Sequence, residues 1–227
     1  MKARFSPKKI LKFQIPISIV LLLSWSCNSQ QKEVGRKNLS HSTDTITRDI
    51  PKFFQSEKWN RYFSDLQSSL NLPSLQNGVK EWQVRIWIAH GVYDYKDSTQ
   101  LIILKKEGEV IRSTLYTYVT QSEPSSGLSS INTVGSFTSL HPKSEWDSFV
   151  DNLEKLSVFT LPDYTKIKGY HLATDSYGVI IEVAKGNTYR IYEYPDYEQH
   201  VDTLSEAQKI LQILKLVESE FGIKVRY

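Results

Sequence analysis

Four carboxylates surround one hairpin predicted in the second half of the chain: Asp163, Asp175, Glu182 and Glu193. A pair of Asp or Glu side chains can cleave a glycosidic bond, one as general acid and the other as base or nucleophile. Acidic residues near strand ends are more often solvated surface groups, and catalysis requires a defined separation inside a pocket. Carboxylate-based hydrolysis of a glycan in the cell envelope is therefore an alternative function rather than the first prediction.

The sequence lacks the motifs of other enzyme classes. No histidine has a second ligand at the spacing of a helical zinc motif; the five are His41, His90, His141, His171 and His200. There is no phosphate-binding loop or dinucleotide fingerprint, and residues 127–131 miss the nucleophile-elbow pattern at its last position. We predict a protein without a metal, a cofactor or a catalytic activity.

Alternate positions of the predicted strands form a third group of candidates. In residues 81–89 the even-numbered positions are apolar, so Arg85 and Trp87 should point away from the helices. The same alternation in the other strands gives a candidate binding face, which Arg112 and Tyr194 extend: Arg85, Trp87, Tyr116, Tyr118, Glu182, Arg190 and Tyr192. Aromatic, Arg and Glu side chains are common in binding surfaces, but they also decorate ordinary solvent-facing sheets. Residues 121–143, predicted to be a loop, are a candidate cover for this face.

Hydrophobic periodicity predicts the elements that carry these residues. Three amphipathic helices follow Ser56, Ser144 and Thr203, the last ending at Gly222. Five strands are predicted, with hairpin turns at Glu107-Gly108 and at Lys185-Gly186-Asn187; the strands are residues 81–89, 100–105, 110–120, 177–183 and 188–194. The order α-βββ-α-ββ-α predicts an α+β fold, with one antiparallel sheet of about five strands and three helices packed on one face.

The first residues of the chain have the three parts of a secretory signal. Lysines and arginines precede a short apolar run, and small residues precede Cys27. The run is shorter than the roughly 20 apolar residues of a membrane span and contains Pro16. Plain secretion and a membrane-spanning anchor are the alternatives.

A cysteine directly after such a cleavage site resembles a bacterial lipoprotein precursor. The resemblance implies cleavage after Ser26 and acylation of Cys27, which would attach the protein to a membrane by palmitate-type chains. It also weakly implies an outer-membrane address, since Asn28 stands where Asp often signals inner-membrane retention. We therefore divide the chain into a signal peptide (residues 1–26), an acylated cysteine and flexible tether (residues 27–50) and one α+β domain (residues 51–227). That domain resembles small envelope lipoproteins of unknown function.

Charge argues against a nucleic-acid partner. Residues 1–26 contain five of the 28 Lys and Arg and none of the 25 Asp and Glu, so the mature chain has a formal charge of −2. A nucleic-acid-binding domain would need a basic patch in the mature protein. We predict a lipid-anchored, non-catalytic binding or accessory module of the cell envelope, with a protein or glycan partner. The alternatives are the hydrolase and an inhibitor or immunity-type lipoprotein that blocks one protein.

Overall fold

The computed structural model describes residues 45–91, 99–123, 128–173 and 177–225. Cys27 and the predicted signal peptide lie outside these residues, as does Asp175. The described chain contains three helices and seven strands. In chain order they are β1 (Thr47–Asp49), α1 (Glu57–Ser69), β2 (Trp82–Gly91), β3 (Thr99–Glu107), β4 (Val110–Glu123), β5 (Leu128–Leu140), α2 (Trp146–Lys155), β6 (Tyr177–Lys185), β7 (Thr188–Pro195) and α3 (Ser205–Phe221).

All seven strands form one mixed sheet in the order β1-β7-β6-β2-β3-β4-β5. The α+β class is confirmed, and the two predicted hairpins are present. The predicted count of about five strands is too low, because each edge of the sheet carries one more. β1 pairs in parallel with β7, so the sheet is not purely antiparallel, and its three residues come from the segment assigned to the tether.

The other added strand, β5, lies where a loop was predicted. It pairs antiparallel with β4, with register shifts at two places. Its sequence is rich in Ser and Thr, with apolar residues too scattered to give a two-residue period. An edge strand needs no continuous apolar face, because its backbone hydrogen bonds hold it in place. Residues 121–143 are therefore not a cover over the sheet but largely a part of it.

The first face of the sheet packs against α2 and α3. Val84, Ile86 and Ile88 of β2 are buried on this side, together with Phe149 of α2 and Ile213 of α3. These are the alternating residues and the helical stripes that the sequence predicts. Each fully buried side chain of this type contributes roughly 1.5–3 kcal/mol relative to exposure.

The second face is covered by α1, so the prediction that all three helices share one face is wrong. Phe63 and Leu66 of α1 are buried in a second core with Trp87 of β2, Leu101 of β3 and Ile180 of β6. The Phe63 and Trp87 rings are 5.3 Å apart in an edge-to-face arrangement. Helix α1 also contacts β5. The sheet is thus buried on both sides, which its apolar central strands favour.

Helix ends follow the sequence signals in part. Ser56 caps α1 by accepting the Trp59 N–H at 3.4 Å, and α3 ends at Gly222 with φ +62°, both as predicted. Ser144 and Thr203 are not N-caps, since the cap positions are Glu145 and Leu204. The Thr203 hydroxyl donates to the carbonyl of His200 instead, so it is not directed at the helix. No helix among the described residues is long and apolar enough to cross a membrane.

Candidate binding groove beside helix α1

A groove of about 530 Å³ lies between α1 and the β7 side of the sheet. This volume is within the roughly 300–1,000 Å³ typical of small-ligand pockets. Its walls come from α1, from the 3-10 turn Lys52–Gln55 and from the segment between α1 and β2, and its floor from β7. The lining residues are Ile50, Phe54, Glu57, Trp59, Asn60, Arg61, Phe63, Ser64, Gln67, Ser74, Gln76, Tyr189 and Ile191.

Two adjacent aromatic rings lie at the groove: Trp59 is part of its lining, and Phe53 lies beside Trp59, outside the lining. Phe53 is 45% exposed, and its ring lies 4.6 Å from that of Trp59, which is partly buried. We call Phe53 and Trp59 the aromatic ledge. Beneath it, Phe54 contacts Trp59 at 5.7 Å and Phe63 at 6.0 Å, so the ledge is supported by buried rings of the second core.

Neutral polar side chains of α1 form the long wall. Asn60, Ser64 and Gln67 recur at helical spacing and line the groove. The described part of the chain offers no hydrogen-bond partner to the side chains of Asn60 and Ser64. The two charged residues at this wall, Glu57 and Arg61, form an ion pair of 2.9 Å across one helical turn. The wall therefore presents donors and acceptors with little net charge.

The floor of the groove covers a buried carboxylate. Glu182 of β6 is fully buried and accepts hydrogen bonds from Gln67 Nε2 at 3.0 Å, Tyr189 OH at 2.9 Å and Trp87 Nε1 at 3.0 Å. Burial, with the charge of Glu182, raises the pKa of Tyr189 above its usual range, so its hydroxyl stays protonated and donates. Gln67 and Tyr189 thus both line the groove and hold the carboxylate beneath it.

Arg85 provides the counter-charge for Glu182. It is also fully buried, its Nη1 lies 3.7 Å from Glu182 Oε2, and its Nη2 donates to the Pro73 carbonyl at 2.6 Å. Its Nε has no hydrogen-bond partner, and burial lowers the pKa of the guanidinium. A buried charge requires such a partner, so the pair fixes the floor of the groove rather than presenting a charge to a ligand.

The candidate binding face is only partly assembled as predicted. Arg85, Trp87, Tyr118 and Glu182 share the second face, and they are buried under α1 rather than exposed. Tyr116 lies on the same face and is partly buried. The Trp87 and Tyr118 rings are 6.4 Å apart. These residues form the interior behind the groove, and none of them lines it.

Arg190 and Tyr192 do not belong to that face, so this part of the prediction is wrong. Tyr192 is buried in the first core, and its hydroxyl donates to the Val158 carbonyl. Arg190 donates to the carbonyl of Phe159 at 2.8 Å and pairs with Asp49 of β1 at 3.1 Å. The cause is the register of the hairpin. Lys185 pairs with Thr188 across a two-residue loop, whereas a three-residue loop would have put Arg190 and Tyr192 on the face of Glu182.

The structure describes three of the four carboxylates that the hydrolase alternative would use, and they lie in two different places. Glu182 is enclosed, whereas Asp163 and Glu193 lie together at the edge of β7. Asp163 is 2% exposed and accepts hydrogen bonds from the Thr165 backbone and hydroxyl and, at 3.0 Å, from the Glu193 N–H. Burial, with the charge of Asp163, raises the pKa of Glu193 to about 8. Among the described residues, a carboxyl group with a raised pKa next to a second carboxyl group is an arrangement that acid–base chemistry could use.

No group of three metal-binding side chains occurs within the described residues. No protein-family model, no curated protein and no solved structure matches this chain. The features that bear on the class of protein are therefore the groove and the N-terminal sequence.

Sequence reasoning missed most of the groove. Its signals were present: the adjacent Phe53 and Phe54 next to Trp59, and the neutral stripe Asn60, Ser64 and Gln67 on the polar side of a short helix. Each is ordinary by itself, because polar residues are expected on the outer face of any amphipathic helix. Only the position of α1 over the second face brings them together with Tyr189 and Ile191 of β7.

Proposed function

We propose that this chain is a lipid-anchored protein of the cell envelope that binds a ligand in the groove beside α1 without catalysing a reaction. The single observation that carries the binding proposal is the groove beside α1, where Trp59 of the aromatic ledge adjoins the neutral polar side chains of Asn60 and Ser64. Exposed aromatic side chains are costly in water and are enriched where proteins bind partners. The lipid anchor rests on the resemblance of the N-terminal residues to a lipoprotein precursor, and the outer membrane is its proposed address.

The geometry beneath the groove supports binding more than catalysis. The carboxylate beneath the floor of the groove, Glu182, has three hydrogen-bond donors and a buried counter-charge, so it is a held structural group. The carboxylate in the lining, Glu57, is paired with Arg61. General acid–base catalysis needs a group that can reach the substrate. Apart from the Glu57–Arg61 ion pair, the groove presents amides, hydroxyls and rings, which bind and orient a ligand but do not transfer protons at neutral pH.

Site-specific photo-cross-linking in cells tests the proposal. A photoreactive amino acid replaces Asn60 in the groove of the full chain, and the matched control replaces Gln212, an exposed amide-bearing residue of α3. We expect an adduct at position 60 that is absent at position 212, because only the groove holds a ligand. Absence of any adduct at position 60, or identical adducts at both positions, would contradict the proposal.

A second candidate function, hydrolysis of an envelope glycan, is favoured by the carboxyl pair of Asp163 and Glu193. In this alternative Glu193, with its raised pKa, is the general acid. The release of reducing ends from envelope polysaccharides distinguishes the two functions. The binding proposal expects no release, whereas release that is lost in Glu193→Gln would establish the hydrolase. An adduct at position 60 that contains one defined protein would favour an inhibitor or immunity-type role instead.

A further inference from the structure

The side chains of the groove indicate the chemical class of its ligand, and this step rests on the binding function proposed above. In the aromatic ledge, the Trp59 ring lines the groove and the exposed Phe53 ring extends this surface beyond the lining. A ligand that uses such a ledge must itself have a flat apolar surface. Sugar rings have one, since several of their C–H bonds point to the same side.

The wall of the groove requires a ligand that is rich in both donors and acceptors. The amides of Asn60 and Gln67 and the hydroxyl of Ser64 lie on successive turns of α1, over about 10 Å of helix. Amide and hydroxyl groups donate and accept at once, which matches the dual character of sugar hydroxyls. One helical stripe of this length can follow two or three linked sugar units.

The charges of the groove disfavour ionic ligands. Arg61 is paired with Glu57, and Arg48, close to the groove, donates from Nε to the Gln76 carbonyl at 2.9 Å. A phosphate-rich or polyanionic ligand needs several unpaired cations to offset its desolvation. The lining described above supplies none.

The backbone around the groove disfavours an extended peptide. Peptides that add to a sheet need a row of free backbone groups at its edge. On this side, residues Thr188 to Arg190 of β7 are already paired with β1, and the Glu193 N–H donates to Asp163. The edge strand itself, β1, is only three residues long and offers a short row of backbone groups. A helical peptide needs a continuous apolar channel, whereas polar side chains make up most of the lining here.

We infer that the groove beside α1 binds a neutral glycan segment, with a sugar ring on the aromatic ledge and its hydroxyls along Asn60, Ser64 and Gln67. The neighbouring positions of β7 supply only Tyr189 and Ile191, so the specificity for one sugar over another depends on the α1 wall and on Ser74 and Gln76. The affinity of a single short segment should be modest, because few apolar atoms are buried and the side chains of the wall must be ordered.

The test is a titration of the full chain, solubilised in detergent, with a panel of neutral tetrasaccharides built from glucose, xylose, mannose and N-acetylglucosamine. Binding is measured by calorimetry and by ligand-observed NMR, and a tetragalacturonate serves as the anionic comparison. We expect saturable binding of at least one neutral tetrasaccharide and at least about tenfold weaker binding of the anionic one, since the groove offers no unpaired cation.

Two matched pairs of variants locate the binding. Phe53→Ala should raise the Kd about tenfold, whereas Phe137→Ala removes an equally bulky exposed ring from β5 and should leave it unchanged. Asn60→Ala should raise the Kd about three- to tenfold, with Gln212→Ala as its control. Both Phe53 and Asn60 are exposed, so their loss should not unfold the protein.

The outcomes separate this inference from the binding proposal. If no neutral tetrasaccharide binds while cross-linking at position 60 succeeds, the glycan inference is overturned and the binding function stands. A cross-linked peptide or protein at position 60 would also overturn the glycan inference, and one defined protein would favour the inhibitor or immunity-type role. Binding that Phe137→Ala weakens as much as Phe53→Ala would overturn the assignment to the groove.

Discussion

Glu182 and Arg85 are the residues on which the interior behind the groove depends. Both are fully buried, and three neutral donors plus one cation surround the carboxylate. Breaking a buried ion pair by removing one partner costs more than replacing both, because an uncompensated charge remains. The ion pair therefore has a structural role, because Glu182 holds Gln67 and Tyr189 in position at the floor of the groove.

Arg85→Met should accordingly lower the free energy of unfolding by about 3–5 kcal/mol. The double variant Arg85→Met/Glu182→Gln should recover a large part of that loss, since the Gln oxygen keeps an acceptor for Gln67 and Tyr189 without a buried charge, and only the Trp87 N–H loses its acceptor. Urea unfolding of the three proteins provides the comparison. A single variant as stable as the wild type, or a double variant less stable than the single one, would contradict this role.

Glu193 gives the protein a predictable pH dependence. Burial raises its pKa to about 8 in the folded state from the ordinary value of 4.5, so folding favours the protonated form. The folded protein then binds more protons than the unfolded chain between these two values, and stability falls as pH rises from about 4.5 to about 8.

Glu193→Gln should remove this component of the pH dependence. We expect the variant to match the wild type near pH 4 and to exceed its stability by at least about 1 kcal/mol at pH 9, because each pKa unit corresponds to about 1.4 kcal/mol. Urea unfolding at the two pH values provides the measurement. Equal stability differences at both pH values would show that Glu193 is not buried as a neutral acid.

At the scale of elements, the sequence was most informative where a hydrophobic pattern determined which side of a strand or helix faces the core. The alternation of β2 and the stripes of α2 and α3 placed Ile86, Phe149 and Ile213 in one core, as predicted. The alternation also put Trp87 on the opposite face, which is correct. Local periodicity could not predict which helix covers that opposite face. The apolar stripe of an amphipathic helix such as α1 can pack on either side of a sheet.

Edges and registers were the parts that pattern reasoning failed to predict. β1 is three residues long and β5 has no continuous alternation, so neither gives a strand signal of useful length. The β6–β7 register depended on whether the hairpin loop contains two or three residues. Because the loop contains two residues, Arg190 and Tyr192 lie on the first face of the sheet and not in the candidate site.

The element that most clearly joins the tether segment to the domain is β1. Asp49 pairs with Lys166 at 2.8 Å and with Arg190 at 3.1 Å, and these hydrogen bonds hold its pKa below the usual range. Ile50, directly after the strand, lines the groove and packs on the second core. A domain boundary at residue 51 would therefore cut through the folded unit.

Chains that begin at residue 45 and at residue 51 should differ in stability for this reason. We expect both to unfold cooperatively without reductant, since no cysteine occurs after Cys27. The shorter chain should be less stable by about 1–3 kcal/mol, because it lacks the β1 ladder, the Asp49 ion pairs and the packing of Ile50. Thermal unfolding measures the difference, with Asp49→Asn in the longer chain separating the ion pairs from the strand. Identical midpoints for the two chains would show that β1 contributes nothing.

For the whole molecule, the proposed acylation of Cys27 would limit where the groove operates. Cys27 and Thr47 are about 20 residues apart, so even an extended chain spans at most about 65 Å. If Cys27 is acylated, the groove must meet its ligand within that distance of the membrane. Cell-wall and surface glycans lie in this zone, which is consistent with the proposed ligand class.

Cys27→Ser should abolish lipid attachment, because no other thiol exists in the chain. We expect loss of radiolabelled palmitate incorporation and release of the protein, or accumulation of its uncleaved precursor. Stable anchoring requires more than one acyl chain, so partial acylation should already weaken membrane retention. Palmitate incorporation that persists in the variant would contradict the lipoprotein assignment.

Hydrogen exchange of α1 tests the central claim, occupancy of the groove in the envelope, most directly. The same full chain is compared in isolated envelope membranes and after purification in detergent, with α3 as the internal reference. Ligand binding should slow exchange of the amides in Glu57–Ser69 by about tenfold or more in the membranes, because binding stabilises the state that holds the ligand, while Ser205–Phe221 should exchange equally in both. Equal exchange of α1 in both preparations would contradict a bound ligand at this groove.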